Sequence, residues 1–209
     1  MITDYAIDDL LIELSSGAPV PGGGGASAVS GALGVSLGAM SLNLTIGKKK
    51  YADVESELRE ALSELETLRD VFLKLADKDE EVFLPLQKAY GLPRQSEEEK
   101  KVRAAYMEQA LTDATEIPLQ VMDYACQALR VLRQTVELVS PLSVSDTGVG
   151  ASFLKTAVKG AGMNVLINLK SMKDPVRKER FRERYLRSLE QGERLSEEVL
   201  LRTEERIGG

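Results

Sequence analysis

The sequence predicts an all-α fold, a single-domain bundle of about six helices that takes in residues 1–209. The long polar segments repeat their apolar residues at helical spacing, and no segment alternates apolar and polar residues as a half-buried strand does. Two segments are unusually rich in small and apolar residues, so we expect them to be the buried central helices. A chain of 209 residues is long enough to bury one substantial core.

The first three helices are predicted from their apolar stripes. A short amphipathic helix begins near Ile7 and ends at residues 15–17, which are Ser-Ser-Gly. The second helix, over about 24–46, follows a run of glycines and is one of the two small-residue-rich segments. The third covers about 53–90 and has an apolar stripe between acidic and basic residues, as expected of a helix with one solvated face.

The fourth helix is predicted from its capping residues. Gly91-Leu92-Pro93 ends the third helix, and Ser96 with Glu99 three positions later forms a capping box. The helix should then run to about Leu138. We expect a kink at Pro118, because an interior proline removes one hydrogen bond and clashes with the preceding turn.

The last two helices follow a second proline break at Ser140-Pro141. The fifth, over about 146–172, is the other segment rich in small and apolar residues. Asp174 and Pro175 form an N-cap and first-turn pair. They open a highly charged final helix that reaches about Arg206.

Composition excludes several kinds of site. The 27 basic and 33 acidic residues make the chain mildly acidic, which argues against nucleic acid as a partner. There is no histidine and Cys126 is the single cysteine, so we expect no metal and no disulfide within the chain. The lack of disulfides and the acidic start of the chain favour the cytoplasm over secretion. Acid–base chemistry must then use Asp, Glu, Lys, Tyr or water.

The 34 uncharged residues between Glu13 and Lys48 are enough to span a bilayer. However, two prolines and four glycines interrupt the first third, and the remainder is dominated by Ala, Gly and Ser. Small residues also recur at helical spacing, a pattern typical of close helix contact. We therefore predict a buried helix, no membrane partner and a homo-oligomer with a helical interface. The stripe consists of Ser27, Gly31, Gly34, Val35, Gly38 and Ser41.

The glycine run before the second helix does not fit either common nucleotide motif. The P-loop spacing fails because Leu42 stands five positions before Gly47 and Lys49 stands where Ser or Thr is required. The loose dinucleotide pattern fails because a helix and two prolines, rather than a strand, precede it. What remains is a helix N-terminus whose free amides suit an anion or a carbonyl oxygen. A tight turn needed only for packing is the alternative.

Polar residues cluster at the far end of the second helix. Lys48, Lys50 and Tyr51 follow it closely, and Asn43 faces the same end. Such a cluster can hold an anionic substrate or supply a general acid, since a desolvated lysine shifts toward a neutral pKa. The alternative is a solvated charge cluster favoured by the helix dipole.

The fifth helix carries three further polar candidates. Asp146 stands at its mouth, either as an N-cap or as a catalytic carboxylate. Asn164 and Asn168 lie four positions apart and share one face. When buried they need partners, which are each other, a neighbouring helix or a ligand. The acidic run 77–81 of the third helix is predicted to be solvated, with the alternative that Asp79 or Glu80 turns inward.

Taken together, these segments resemble the formimidoyltetrahydrofolate cyclodeaminase and methenyltetrahydrofolate cyclohydrolase family. The matching stretches are 18–51, 91–100, 115–119 and 145–168. The resemblance implies an all-helical homodimer with a folate pocket near the subunit interface, no metal and no cofactor beyond the tetrahydrofolate substrate. The chain departs from the family at Ser140-Pro141-Leu142, where members often carry asparagines, so we expect one substrate contact to differ.

Within that resemblance, the free-standing chain with four glycines looks closest to the bacterial cyclohydrolases. The predicted reaction is hydrolysis of 5,10-methenyltetrahydrofolate to 10-formyltetrahydrofolate, with Asp146 as base and Lys48 as acid or as partner of a folate carboxylate. The alternatives are an ammonia-releasing cyclodeaminase and a non-catalytic folate-binding dimer. The residues assigned to substrate binding are Pro21, Gly22, Gly23, Gly24, Gly25, Asn43, Lys50, Tyr51, Asn164 and Asn168.

Overall fold

Six α-helices joined by short turns make up most of the structure, a computed structural model that describes residues 1–208. Over these residues no strand is present, which confirms the predicted all-α class. Two short 3₁₀ helices, Ile2–Asp4 and Lys49–Val54, precede α1 and α3. The α-helices are α1 (Ile7–Leu14), α2 (Gly23–Asn43), α3 (Glu55–Gly91), α4 (Glu97–Thr135), α5 (Val144–Ser171) and α6 (Pro175–Gly208).

The two small-residue-rich helices, α2 and α5, lie antiparallel in the centre of the bundle. Asn164 of α5 lies beside Gly23 at the start of α2, and Ser41 near its end donates a hydrogen bond to the carbonyl of Ser143, 2.9 Å away. A Cβ on Gly34 would lie 2.8 Å from the carbonyl oxygen of Gly150, so these helices can approach this closely only without side chains there.

The small-residue stripe of α2 is buried as predicted, packed against α3 and α5. A Cβ on Gly31, for example, would lie 2.5 Å from the ring of Phe72 of α3. Among residues 1–208, α2 alone is long and apolar enough to meet the criteria for a membrane span. Its packing is that of the core helix predicted from its small residues.

Two predicted helix ends differ from the structure by two or three residues. The helix predicted over 24–46 ends at Asn43, because the chain turns at Gly47, which has a φ of +80° that favours glycine. The lysine cluster therefore follows a turn. Helix α5 begins at Val144 with Ser143 as its N-cap residue, so Asp146 lies in the first turn and is not the N-cap.

The other helices surround the central pair. Ser96 and Glu99 form the predicted capping box at the start of α4, with both reciprocal hydrogen bonds present. Helix α4 continues through Pro118 to Thr135 without interruption. Helices α3 and α4 pack on each other, and α6 packs on α4 and α5. This arrangement brings the start of α2, the second half of α3 and the end of α5 to one end of the bundle.

Candidate active site

A cleft of about 180 Å³ lies where the start of α2 meets α3, α4 and α5. The glycine turn that opens α2 forms part of the lining, and polar side chains of α3 and α5 form another part. Polar and apolar groups thus meet in one concave site, as in most small-molecule pockets. The residues lining it include Gly22, Gly23, Gly24, Asp79, Val82, Phe83, Asn164, Ile167 and Asn168.

Asp79 of α3 is the carboxylate of this cleft. Its Oδ2 accepts a hydrogen bond from the backbone amide of Gly25, 2.8 Å away. Burial is the main cause that raises the pKa of Asp79, and the nearby Glu80 raises it further, against the lowering effect of the Gly25 amide. A partly buried carboxylate in a cleft, with a pKa displaced by desolvation, is a candidate general base.

The glycines at the start of α2 make room for this carboxylate. A Cβ on Gly24 would lie 2.5 Å from Cγ of Asp79, which no real contact allows. Gly22, the N-cap residue, has no side chain to satisfy the first turn. The amides of Gly23 and Gly24 consequently remain free for a ligand oxygen, while that of Gly25 is bonded to Asp79.

Asn164 and Asn168 place two amide groups on the wall formed by α5. Nδ2 of Asn164 donates to the carbonyl of Gly160 at 3.1 Å, and Nδ2 of Asn168 donates to the carbonyl of Ala114 at 3.0 Å. The carbonyl oxygen of each side chain therefore remains available as an acceptor. Donor groups on a heterocyclic ligand are suitable partners for these oxygens.

The sequence contains a signal for Asp79 that our prediction did not use. Along α3, Leu58, Leu65, Phe72 and Leu86 recur every seven residues and are all buried. Asp79 occupies the missing position in this series. A residue two turns after Phe72 lies on nearly the same helical face, so the repeat predicts that Asp79 points inward rather than into solvent. This outcome matches the alternative of an inward carboxylate in the acidic run.

The remaining predicted site residues lie at the other end of α2. Helix α2 has 21 residues, so Asn43 is about 30 Å from the glycine turn. Asn43 borders a separate groove with Met40 and Arg69, and Lys48 is exposed in the following turn. The ammonium group of Lys50 lies 5.5 Å from the ring centroid of Tyr51. Within one chain, this group does not reach the cleft.

Asp146 belongs to the same distant group. It is half-buried in the first turn of α5, 18 residues before Asn164, a separation of about 27 Å along the helix. Pro21 is buried directly before the glycine turn. The predicted residues therefore form two groups, one at each end of the α2–α5 pair, and Asp79 joins the group around the glycine turn.

Exposed apolar side chains of α2 and α5 lie along these helices between the two groups, and we name this set the α2–α5 face. Ile167 borders the cleft and is 59% exposed, while Met40 borders the groove of Asn43 and is 49% exposed. Exposed apolar side chains that recur along two neighbouring helices are typical of an interaction surface. The face consists of Leu33, Met40, Leu44, Val149, Met163, Leu166 and Ile167.

Two other kinds of site, a metal centre and a cysteine nucleophile, have no support among the described residues. Across residues 1–208, no group of three or more His, Cys, Asp or Glu side chains is arranged to hold a metal ion. Cys126 is buried, and burial raises the pKa of its thiol to about 12, so it is not a nucleophile. The cleft therefore supplies acid–base chemistry through Asp79 and hydrogen bonding through amides.

Comparison with known proteins identifies the family. The sequence model of the formiminotransferase-cyclodeaminase family matches residues 6–187, most of the chain. The chain belongs to this family. The start of α2, Asp79, both asparagines and the lysine cluster all fall within the matched residues.

Relatives in the formiminotransferase-cyclodeaminase family have two kinds of name. A methenyltetrahydrofolate cyclohydrolase of Methylorubrum extorquens is 39% identical over 91% of this chain and 89% of its own. The mouse formimidoyltransferase-cyclodeaminase is 30% identical over 86% of this chain, which corresponds to 33% of that longer protein. The crystal structure of formiminotetrahydrofolate cyclodeaminase from Thermotoga maritima superposes with a TM-score of 0.82 at 30% identity, covering 100% of this chain and 98% of the other.

Proposed function

We propose that this protein hydrolyses 5,10-methenyltetrahydrofolate to 10-formyltetrahydrofolate, and that the cleft around Asp79 is where the reaction occurs. The observation that carries the proposal is the partly buried Asp79 carboxylate beside the free amides of the α2 glycine turn. The 39% identity to a methenyltetrahydrofolate cyclohydrolase over most of both chains supports it.

The reaction requires a base for water and a proton for the departing nitrogen. The substrate is a delocalised cation that is electrophilic at the carbon bridging N5 and N10. A water molecule held by Asp79 adds to that carbon and gives its proton to the carboxylate. The bond to N5 then breaks, N5 receives a proton, and the oxygen becomes the formyl carbonyl on N10, with one proton released overall. A raised pKa suits a group that first accepts and then returns a proton.

The helix start and the asparagines position the substrate in this scheme. The free amides of Gly23 and Gly24 donate hydrogen bonds to the oxygen of the added water in the tetrahedral intermediate. They lie at the positive end of the α2 dipole. The carbonyl oxygens of Asn164 and Asn168 accept hydrogen bonds from donors on the pterin ring. The carboxylate also stabilises the cationic substrate directly.

We further propose that the protein is a homodimer formed through the α2–α5 face. A two-fold axis perpendicular to α2 would place the partner's α2 antiparallel to that of the first protomer. The C-terminal end of the partner's α2 would lie against the glycine turn of the first protomer. Asn43, Lys48, Lys50, Tyr51 and Asp146 would then complete the cleft of the other protomer. In this arrangement Lys48 supplies the acid or binds a folate carboxylate, as the sequence predicted. The support is that the cleft and the groove of Asn43 each include exposed apolar residues of this face, Ile167 in the cleft and Met40 in the groove.

The direct test is the absorbance decay of 5,10-methenyltetrahydrofolate with chelator-treated protein, corrected for the spontaneous rate. We expect the wild-type protein to accelerate this decay and the Asp79→Asn variant to lose the acceleration. No acceleration by folded wild-type protein would contradict the proposed function. The same assay tests the remaining proposals that no metal and no additional cofactor take part.

The cyclodeaminase reaction is a second candidate because the chain superposes over its full length on a formiminotetrahydrofolate cyclodeaminase. In that reaction N10 attacks the formimino carbon and ammonia leaves, again through a tetrahedral centre between N5 and N10. Ammonia release from formimidoyltetrahydrofolate would identify it. We also propose a cytoplasmic location, without nucleic-acid or membrane partners, in keeping with the acidic composition and the single buried cysteine.

A further inference from the structure

A second, larger groove of about 640 Å³ lies beside the cleft, and four of the six charged side chains that line it are cationic. It is bounded by the start of α4 and by the turn between α5 and α6. The chain as a whole has a net charge of −6, so this concentration of positive charge is a local feature. The charged groups that line it are Arg94, Lys100, Arg103, Lys173, Glu108 and Asp174.

The two carboxylates of the groove are already occupied. Glu108 accepts hydrogen bonds from the backbone amides of Lys173 and Asp174, at 3.0 and 3.2 Å. Asp174 accepts from the amides of Val176 and Arg177 at the start of α6. They hold the α5–α6 turn and form no ion pair with the four cations of the groove.

Arg103 is the least satisfied of these cations. Its Nε is buried without a hydrogen-bond partner, and its Nη2 has a single long contact of 3.5 Å with the carbonyl of Tyr90. Within residues 1–208, Arg94 and Lys173 likewise have no ion pair, whereas Lys100 pairs with Glu97. The guanidinium of Arg103 has only one long hydrogen bond, so its terminal nitrogens retain donors for an anionic ligand in the groove.

The groove and the cleft are neighbours along two helices. On α5, Asn168 lines the cleft and Ser171, less than one turn later, lines the groove. On α4, Ala114 lines the cleft and Met107 lines the groove, about 10 Å away along the helix. A ligand whose reacting part lies at Asp79 can therefore extend its other end into the groove.

We propose that this basic groove binds the carboxylates of the substrate's glutamate moiety. The inference rests on the proposed folate substrate, in which an aminobenzoyl linker joins the reacting ring to an anionic glutamate. Arg103 presents a planar group suited to bidentate binding of one carboxylate, and Arg94 and Lys173 neutralise the rest. The aminobenzoyl linker then lies along the boundary between cleft and groove, beside Ser171.

The test compares substrates with and without glutamate. Arg103→Gln and Lys173→Gln should each raise the KM for 5,10-methenyltetrahydrofolate by about threefold to tenfold, since a hydrogen bond to a charged group is lost in a partly open groove. Neither should change the KM for 5,10-methenyltetrahydropteroate, which lacks glutamate. Lys101→Gln is the matched control, because Lys101 is exposed on α4 next to these residues but outside the groove.

A binding measurement separates this proposal from the proposed reaction. Calorimetric titration with p-aminobenzoylglutamate should show weaker binding to both groove variants than to wild type, whether or not the protein catalyses hydrolysis. Equal affinities, or equal KM increases for both substrates, would overturn the groove assignment and leave the cleft assignment intact. Lys173 is exposed, so Lys173→Gln provides a folded variant if the change at Arg103 destabilises the protein.

Discussion

Asp79 accepts a hydrogen bond from the backbone amide of Gly25, 54 positions earlier in the chain. This contact joins the middle of α3 to the first turn of α2 and fixes the carboxylate beside the free amides of the glycine turn. The residue lies on the buried stripe of α3, where the other positions of the seven-residue repeat hold apolar side chains. A carboxylate in that position is unfavourable for stability and useful for proton transfer, which is the balance expected of a catalytic group.

Replacing Asp79 by Asn should lower kcat for hydrolysis of 5,10-methenyltetrahydrofolate by about 10²- to 10⁴-fold, because the amide cannot take the proton from water. Asp77→Asn is the matched control on the same acidic run. Asp77 accepts hydrogen bonds from the amide and hydroxyl of Thr3 and is outside the cleft, so its loss should affect stability and spare kcat. A wild-type rate in Asp79→Asn would exclude Asp79 as the base.

The same substitution should change the dependence of stability on pH. The pKa of Asp79 is raised in the folded state, mainly by burial, so the folded protein binds more protons than the unfolded chain between the two pKa values. The contribution of Asp79 to stability is therefore present at low pH and lost as pH rises through the folded pKa. The Tm of Asp79→Asn relative to wild type should increase from about pH 4 toward neutrality. A difference that does not vary with pH would contradict the raised pKa.

Gly24→Ala should reduce activity with little loss of helical content. Its Cβ would overlap the Asp79 carboxylate, which must rotate away from Gly25. We expect kcat to fall by roughly the 10²-fold that corresponds to a misplaced base. Gly17→Ala, where an added Cβ meets nothing within 4 Å, controls for the change in residue type. An active Gly24→Ala enzyme would show that the glycine is needed only for packing.

Mixing two inactive variants tests whether one site uses both protomers. Asp79→Asn and Lys48→Met damage opposite ends of α2, so a hybrid dimer would contain one intact site. Random exchange of subunits makes about half of the dimers hybrids, and each hybrid has one intact site of two. The mixture should therefore regain about a quarter of wild-type activity. Mixing Asp79→Asn with Gly24→Ala, which damage the same end, should restore none. Absence of rescue after confirmed subunit exchange would contradict the shared site.

Gly34→Ala should destabilise the protein by about 1–3 kcal/mol, because the added Cβ would lie 2.8 Å from the carbonyl oxygen of Gly150 and force α2 and α5 apart. Chemical denaturation at constant pH measures the free energy of unfolding. Ser36→Ala, at an exposed position of the same helix, should have little effect. Equal stabilities of Gly34→Ala and wild type would show that the helix pair can separate without cost.

The helices and their burial followed from local patterns. The small-residue stripe of α2 and the Ser96–Glu99 capping box are both confirmed, because each depends on residues a few positions apart on one helix. The start of a helix was predicted less accurately where several neighbouring residues are capable N-caps. Ser143, Ser145 and Asp146 are all capable N-caps, and only the tertiary position of the chain at Ser41 favours the first.

The candidate site was predicted only in part. The sequence identified the glycine turn, Asn164 and Asn168, which the structure brings together in the cleft. It did not reveal that Asn43, Lys48 and Asp146 lie a helix length away, because neighbouring motifs along a chain can occupy opposite ends of a long helix. The sequence predicted an inward Asp79 only as an alternative, and its position beside the glycine turn depends on a contact with a helix distant in sequence.

The exposed position of Ile167, shared by the cleft and the α2–α5 face, has a consequence for how activity depends on concentration. If each protomer contributes half of every site, an isolated chain is inert and association itself switches the enzyme on. Specific activity should then fall on dilution below the dissociation constant of the pair. A folate enzyme built in this way responds to its own abundance as well as to its substrate.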